Sequence, residues 1–374
     1  MHARAEDLIR RYGYPGRLRA ILGEIETSAH RQLGADLVAI LLTGSIATGD
    51  YVWRTSDGTS DLLSDIDAVT IVRRRRRCLG YMEDLARLSR EWKGITSEFK
   101  IDMATVTTRE ARRLVRNYQY AEARLTGFLL EGNEAVLAWL PRDFQPGYSR
   151  LAALFNLSKT LQHWPEDASK LREGKFQRML ARLVLDGAML AYSERGLCVP
   201  GHRLRVSGLW ARGWVSERMA TTLEKAIEIR QGHSTFLDVR ETWESVNEVL
   251  QRLVGEPIEY ESSTLLAEQL TRVVPPRTLR RWAREASQSR GDIGWLIRRK
   301  EAWAAAFSLT AFRQLAETGV VALDRYGTGT ALAKFSGETT GDNSFQAIRR
   351  AFRSGQAKLR PWLARDEEWT SARS

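Results

Sequence analysis

Cysteine and histidine are scarce in this chain, and their scarcity removes several chemistries at once. The 374 residues hold two cysteines and five histidines. Cys78 and Cys198 share no metal-ligand spacing, and two cysteines are too few for a disulfide framework at this length. A reducing compartment follows, and the cytoplasm is the expected location. No two histidines stand in a His-x-x-x-His spacing, so zinc chemistry is not expected. Long hydrophobic runs are also missing. The longest, Leu37 to Leu42, falls far short of the ~20 residues that span a bilayer, so no membrane span is expected. No apolar signal-peptide core follows the charged N-terminal residues. Gly-rich Walker and Rossmann fingerprints are absent, and so is any internal repeat.

What is present is positive charge. The formal net charge is +11, which favours polyanionic partners: nucleotides, nucleic acid, acidic glycans or an anionic membrane surface. A solvated Arg-rich surface accounts for the same excess without a partner. The length suggests two domains of roughly 100–200 residues each.

The hydrophobic pattern divides the chain near Pro141 to Ser149. Before that point, short continuous apolar runs alternate with helical periodicity. Two helices are expected before residue 34, broken by Pro15. A strand buried on both faces is expected from Asp36 to Thr43, closed by Gly44. Gly49 to Ser64 is polar and should be loop in part. A second strand runs from Asp65 to Val72. A helix over 79–93 has Leu79, Met82, Leu85 and Leu88 on one side. A third strand spans Glu98 to Val106, then a helix from Arg109 to Asn117 with Thr108 as N-cap. Phe128 to Leu130 reads as a short fourth strand. After the boundary, helical periodicity dominates: 151–164, 176–192, 215–231, 236–255, 262–273 and 277–318, with a break at Pro275-Pro276. Tyr326 to Asn343 is rich in Gly and Thr and reads as flexible. The expected architecture is an α/β (α+β) domain over 1–145, a mixed sheet with flanking helices, followed by a mainly α-helical domain over 146–374.

Three carboxylates carry the chemistry. Asp65 and Asp67 are two apart on a strand, so alternation puts both on one face, opposite Ile66. Asp102 lies on another strand. Clustered like charges are unfavourable unless a divalent cation neutralises them. An all-oxygen donor set suits Mg²⁺, and Mn²⁺ as its substitute. Gly44 and Ser45 directly follow a buried strand. Glycine there lets backbone approach a phosphate, and a helix starting at Ser45 would offer free amides. Either element alone is commonplace: Gly-Ser after a strand is usually a turn, and Asp-x-Asp usually a solvated strand end. Their order and flanking strands make the combination informative.

Thr43-Gly-Ser-Ile-Ala-Thr-Gly-Asp50 followed by Ser64-Asp-Ile-Asp67 resembles the signature of the DNA polymerase β-like nucleotidyltransferase superfamily. That signature is a hydrophobic strand, Gly-Ser, a spacer, and Asp-x-Asp or Asp-x-Glu on the next strand. Lys100-Ile-Asp-Met103 resembles the family's later acidic strand. The resemblance covers residues 36–107 and says little about substrate. It implies a nucleotidyltransferase-type sheet and a catalytic set of Asp65, Asp67 and Asp102. Asp65 and Asp67 would bind Mg²⁺, and Asp102 would be a metal ligand or the base for the acceptor hydroxyl. Gly44 and Ser45 would hold the triphosphate of an NTP co-substrate. Two departures stand out. The spacer from Ser45 to Asp65 is longer than usual, and Thr48 stands where many bacterial members have a basic residue.

A helical second domain also fits the superfamily. Lys159, Lys175 and Arg178 are candidates there for a clamp on the nucleotide's phosphates. Lys175 and Arg178 are neighbours on a helix face, and a solvated face is the plainer reading of them. The Arg73–Arg77 run lies about 20 Å along the strand from Asp67, too far to touch a metal there. A solvated turn or a remote acceptor-binding patch accounts for it.

The expected activity is Mg²⁺-dependent transfer of a nucleoside monophosphate from an NTP to an acceptor, with pyrophosphate released. The acceptor stays open: a small molecule, a sugar, a protein or a nucleic acid. A catalytically silent fold acting as a basic nucleic-acid-binding or interaction module is the alternative.

Overall fold

A computed structural model of the chain describes residues 16–56, 59–62, 64–74, 78–92, 101–112, 118–144, 146, 149, 172–233, 235–254, 256–273, 291–344, 346–355 and 357. It divides into two compact units. One comprises Met1–Phe144 with Cys198–Arg205; the other comprises Gln145–Leu197 with Val206–Ser374.

The first unit is mixed α/β. Its elements are α1 (Gly16–Leu33), β1 (Leu37–Thr43), α2 (Gly44–Thr48), β2 (Trp53–Ser56), β3 (Thr59–Leu62), β4 (Ile66–Val72), α3 (Cys78–Glu91), β5 (Ile101–Thr107), α4 (Thr108–Ala111), α5 (Tyr118–Thr126) and β6 (Leu129–Gly132). Four strands form one mixed sheet in the order β5-β4-β1-β6. β4 is parallel to β5 and antiparallel to β1, which is antiparallel to β6.

The continuous apolar runs have a simple cause: both faces of this sheet are covered. Alternation sends Ile40, Leu42, Ile66 and Ala68 to one face, where they pack with Leu22, Ile25 and Leu85 of α1 and α3. It sends Ala39, Leu41, Val69 and Ile71 to the other, against Ala111, Ala123 and Leu129. Each fully buried aliphatic side chain of this kind contributes about 1.5–3 kcal/mol. Thr70 is the fully buried polar residue of β4. Its hydroxyl meets the Met103 sulfur at 2.7 Å and the Tyr81 hydroxyl at 3.3 Å, so it is satisfied without water.

Several local expectations change. The buried side of α3 is Tyr81, Leu85 and Leu88, while Leu79 is 74% exposed. The N-cap of α4 is Thr107, not Thr108. Thr107 and Glu110 form a reciprocal capping box, with the Thr107 amide donating to Glu110 Oε2 at 2.7 Å. The polar stretch after α2, expected to be loop in part, also contains a hairpin, β2 paired with β3.

α1 and α3 are joined by one carboxylate. Asp84 accepts hydrogen bonds from Ser28 (2.8 Å), Arg31 (2.5 Å) and Gln32 (3.0 Å). These donors hold its carboxyl down to about 2. A depressed carboxylate adds stability that is complete above its unfolded value, ~3.9, and is lost as pH falls through the folded one. Replacing Asp84 by Asn therefore lowers the melting temperature near neutrality. It also flattens the dependence of melting temperature on pH between about 4 and 2. An unchanged acid profile in the variant would contradict this.

The second unit is helical. It contains α6 (Gly174–Ser193), the Val206–Ala211 part of α7 (His202–Ala211), α8 (Glu217–Arg230), α9 (Val239–Val254), α10 (Ser263–Val273), α11 (Gly291–Thr318) and α12 (Thr328–Ser336). Helical backbone also covers 346–355. The segment Tyr326 to Asn343, read from composition as flexible, thus holds α12, whose Leu332 and Phe335 are buried. Phe335 and Phe307 both contact the Phe352 ring, with centroids 5.1 and 5.7 Å away. Among the described residues no helix is long and apolar enough to cross a membrane.

Candidate active site

The candidate residues of the first unit gather at one edge of the sheet. Thr43 ends β1 and pairs with Asp67 near the start of β4. Asp67 pairs in turn with Asp102 near the start of β5. The three form a row across adjacent strands about 4.8 Å apart. Alternation puts Asp67 on the same face as Val69 and Ile71, and the parallel pairing puts Asp102 there too. Asp67 is half-buried and Asp102 exposed, so the row leads from the core to solvent. Asp65 is half-buried and precedes β4 by one residue. Its place is the entry to the strand, not the strand itself, so strict alternation does not fix its side chain.

Gly44 closes β1 and opens α2. Its φ is +63°, in the left-handed region where a side chain is strained. A Cβ at Gly44 would stand 2.5 Å from Asp67 Oδ2. The backbone of the Gly-Ser turn and the second carboxylate of the Asp-x-Asp pair therefore touch, which links two motifs 23 positions apart. Substituting Gly44 by Ala strains φ and pushes the Asp67 carboxylate aside. The variant should lose about 1 kcal/mol or more of stability and most of any activity that depends on Asp67. Wild-type activity in Gly44→Ala would contradict the contact.

Ser45 is half-buried in the first turn of α2, and its carbonyl accepts from the Thr48 hydroxyl at 3.4 Å. The helix begins at Gly44, one residue earlier than the sequence suggests, and is capped at its C-terminus by Gly49, whose φ is +78°.

The donor set fits a hard cation in kind, since it consists of carboxylate oxygens alone. Its three members do not close around one point. Among the described residues, the group whose ligand atoms all lie within 4.8 Å of one another is Glu26, His30 and Glu131, away from this edge. A Mg²⁺ that keeps waters and takes one or two carboxylates with substrate phosphates does not require such closure.

Lys159 falls outside the described residues. Lys175 and Arg178 are on α6 of the second unit, with Arg178 half-buried. Arg73 and Arg74 are exposed beyond the far end of β4, and the Arg73 amide donates to Asp36 O at the start of β1 (2.8 Å). That is the end opposite Asp67.

One group beside the site escaped the sequence reading. The segment Cys198–Arg205 belongs to the first unit, and two buried acids hold it there. Glu122 on α5 accepts from the Gly201 amide at 2.7 Å and from the Arg205 guanidinium. Both members of this pair are buried, with side chains 10% and 6% exposed. Arg205 also donates to Val199 O at 2.8 Å and lies over the Tyr118 ring. The Tyr118 hydroxyl meets both the amide and the carbonyl of Val199 at 2.8 Å. Burial pushes the Cys198 thiol up to about 12, which keeps it protonated and unreactive. The second acid is Asp50, two residues beyond α2. Asp50 Oδ2 accepts from the His202 amide and, at 3.3 Å, from the Thr48 hydroxyl. Gly201, with φ of +77°, brings its backbone so close that a Cβ would stand 2.6 Å from Asp50 Oδ2. Pro200-Gly201 is a turn signal in the sequence, but nothing there names its distant partners.

Comparison with protein-family models gives no match for this chain, and comparison with curated proteins gives none either.

Proposed function

We propose that the first unit is a metal-dependent nucleotidyltransferase, with its site at the Thr43–Asp67–Asp102 edge of a nucleotidyltransferase-type sheet. The observation that carries this reading is the contact of Gly44 with the Asp67 carboxylate. It joins a backbone turn suited to phosphate to an acid suited to metal, with a third acid in register on the neighbouring strand.

Asp65 and Asp67 would hold Mg²⁺ or Mn²⁺, with Asp102 as a further ligand or as the base. Such a cation, when bound, neutralises phosphate charge and polarises the reacting phosphoryl group. The chain's own residues do the rest. Gly44 and Ser45 present backbone amides and a hydroxyl to the triphosphate. The acceptor oxygen attacks the α-phosphorus, and the bond from that phosphorus to the α,β-bridging oxygen breaks. Pyrophosphate leaves with the bond's electron pair. The acceptor's proton passes to Asp102 or to solvent.

Incubation with each α-labelled NTP, Mg²⁺ or Mn²⁺ and a cell extract tests this. Wild type should transfer label and Asp65→Ala/Asp67→Ala should not. No transfer and no metal-dependent nucleotide binding by wild type would end the enzyme reading. The net charge of +11 favours one other role, nucleic-acid binding without catalysis. RNA or DNA retention that survives the double substitution would support it.

A further inference from the structure

A second cluster of metal-ligating side chains lies in the first unit, away from the three aspartates. Glu26 and His30 are one turn apart on α1, so they share a face. Glu131 on β6 meets them there. One ligand atom from each of the three lies within 4.8 Å of the other two. His30 Nε2 and Glu131 Oε2 are 3.3 Å apart, across 101 positions of sequence.

The sheet is irregular where it presents Glu131. β1 pairs Leu41 with Leu129 and Ile40 with Glu131, so Leu130 is an extra residue on β6. Strict alternation from Leu129 would send Glu131 to the face where Leu129 and Leu41 pack with Ala111 and Ala123. The bulge puts it instead in register with Ile40, on the opposite face, which α1 covers. A carboxylate is thereby turned towards the imidazole.

The spacing suits one ion. Zinc takes nitrogen at about 2.0–2.1 Å and carboxylate oxygen at about 2.0–2.2 Å. Two ligands of a tetrahedron at those lengths stand ~3.3 Å from each other. That is the His30–Glu131 separation. Glu26, at no more than 4.8 Å, reaches the same spacing by turning its flexible side chain. An ionised carboxylate has about four lone-pair sites, so a metal contact is compatible with its other interactions. The imidazole shifts the preference of the set from Mg²⁺ towards transition metals. Zn²⁺ is the common one that takes mixed His and carboxylate ligands, with water in a fourth position. No paired-histidine spacing marks this set, because its single imidazole is joined by two carboxylates.

We propose that Glu26, His30 and Glu131 bind one Zn²⁺, and that the ion fastens α1 to β6, the edge strand of the sheet. The site is separate from the three aspartates and does not depend on the nucleotidyltransferase reading.

The test uses the full chain, stripped of metal with a chelator and dialysed. Zn²⁺ is titrated calorimetrically into wild type, His30→Ala, Glu131→Gln and Asp65→Ala/Asp67→Ala. Wild type and the double aspartate variant should bind Zn²⁺ alike at their tightest site. His30→Ala and Glu131→Gln should each weaken that binding at least tenfold to a hundredfold, the loss that removing even an outer partner of a ligand brings. Zn²⁺ should raise the melting temperature of wild type, because it binds the folded chain, and should raise it less in these two variants. The His30 and Glu131 side chains are 54% and 30% exposed, so neither replacement should unfold the chain, which circular dichroism without metal checks.

Zn²⁺ affinity that is unchanged in His30→Ala and Glu131→Gln overturns the proposal. So does an affinity that falls in Asp65→Ala/Asp67→Ala instead, since the ion then sits at the aspartates. A wild type that binds no Zn²⁺ overturns it as well, and leaves the Mg²⁺-dependent nucleotidyltransferase reading standing.

Discussion

Replacing Asp67 by Ala should reduce nucleotidyl transfer at least a thousandfold while leaving the first unit folded. Asp67 is half-buried at the sheet edge, and its neighbours in register are Thr43 and another acid, Asp102. Asp67 lies near the start of β4, outside the apolar clusters that hold the sheet, so its removal should leave the unit folded. The loss falls on catalysis. A metal ligand aligned with the phosphate turn supplies several kcal/mol of transition-state stabilisation, and each 1.36 kcal/mol is tenfold in rate. Asp65→Ala should behave similarly. Label transfer and urea unfolding, measured on the same preparations, separate the two effects. A variant that is inactive because it is unfolded would not support the metal role, and neither would a variant that keeps a tenth of wild-type transfer.

The second large effect is on stability. Glu122→Ala leaves the Arg205 guanidinium buried without its carboxylate, and the Gly201 amide without its acceptor. Breaking a buried pair from one side costs about 3–5 kcal/mol, much of it the penalty for the stranded charge. Arg205→Ala strands the Glu122 carboxylate and should cost a similar amount. The double variant should cost clearly less than the sum of the two, because it leaves no unpaired charge. Urea unfolding of the four proteins reads this. The single variants should also expose Cys198 to alkylation at neutral pH, because burial is what holds its thiol up to about 12. Additive losses, or a Cys198 that stays protected in Glu122→Ala, would show that the pair does not hold the segment.

The parts of this molecule that were legible in its sequence are those with local cause. β1 and β4 appear as unbroken apolar runs because both faces of the sheet are covered, and Gly44 marks the end of one such run. Asp67 and Asp102 were readable as a pair because each sits on a strand, where alternation sets its face; Asp65, one residue ahead of β4, is not aligned in this way. The α3 face was misjudged by position. Tyr81 is fully buried because Thr70 and Met103 satisfy its hydroxyl, contacts made 11 and 22 residues away. A Tyr with a partnered hydroxyl packs like a Phe, and Leu79 was left outside. The β2–β3 hairpin was missed although Asp57-Gly58 separates its strands, the commonest two-residue hairpin signal.

The Cys198–Arg205 segment was beyond reach for a different reason. Asp50 meets the His202 backbone across 152 positions, and Glu122 meets Arg205 across 83. No periodicity or spacing rule encodes such pairs; only the folded unit makes them neighbours. Gly44 and Asp67 are an intermediate case, since their motifs were readable but their contact was not.

On the proposed function, a nucleotide and a metal meet at the Gly44–Asp67–Asp102 edge. Calorimetric titration of the four α,β-methylene NTPs, with and without Mg²⁺, into wild type and Asp67→Ala tests it most directly. At least one NTP should bind wild type only with Mg²⁺, and that binding should vanish in Asp67→Ala. Nucleotide binding of equal strength without metal, or unchanged in Asp67→Ala, would contradict it.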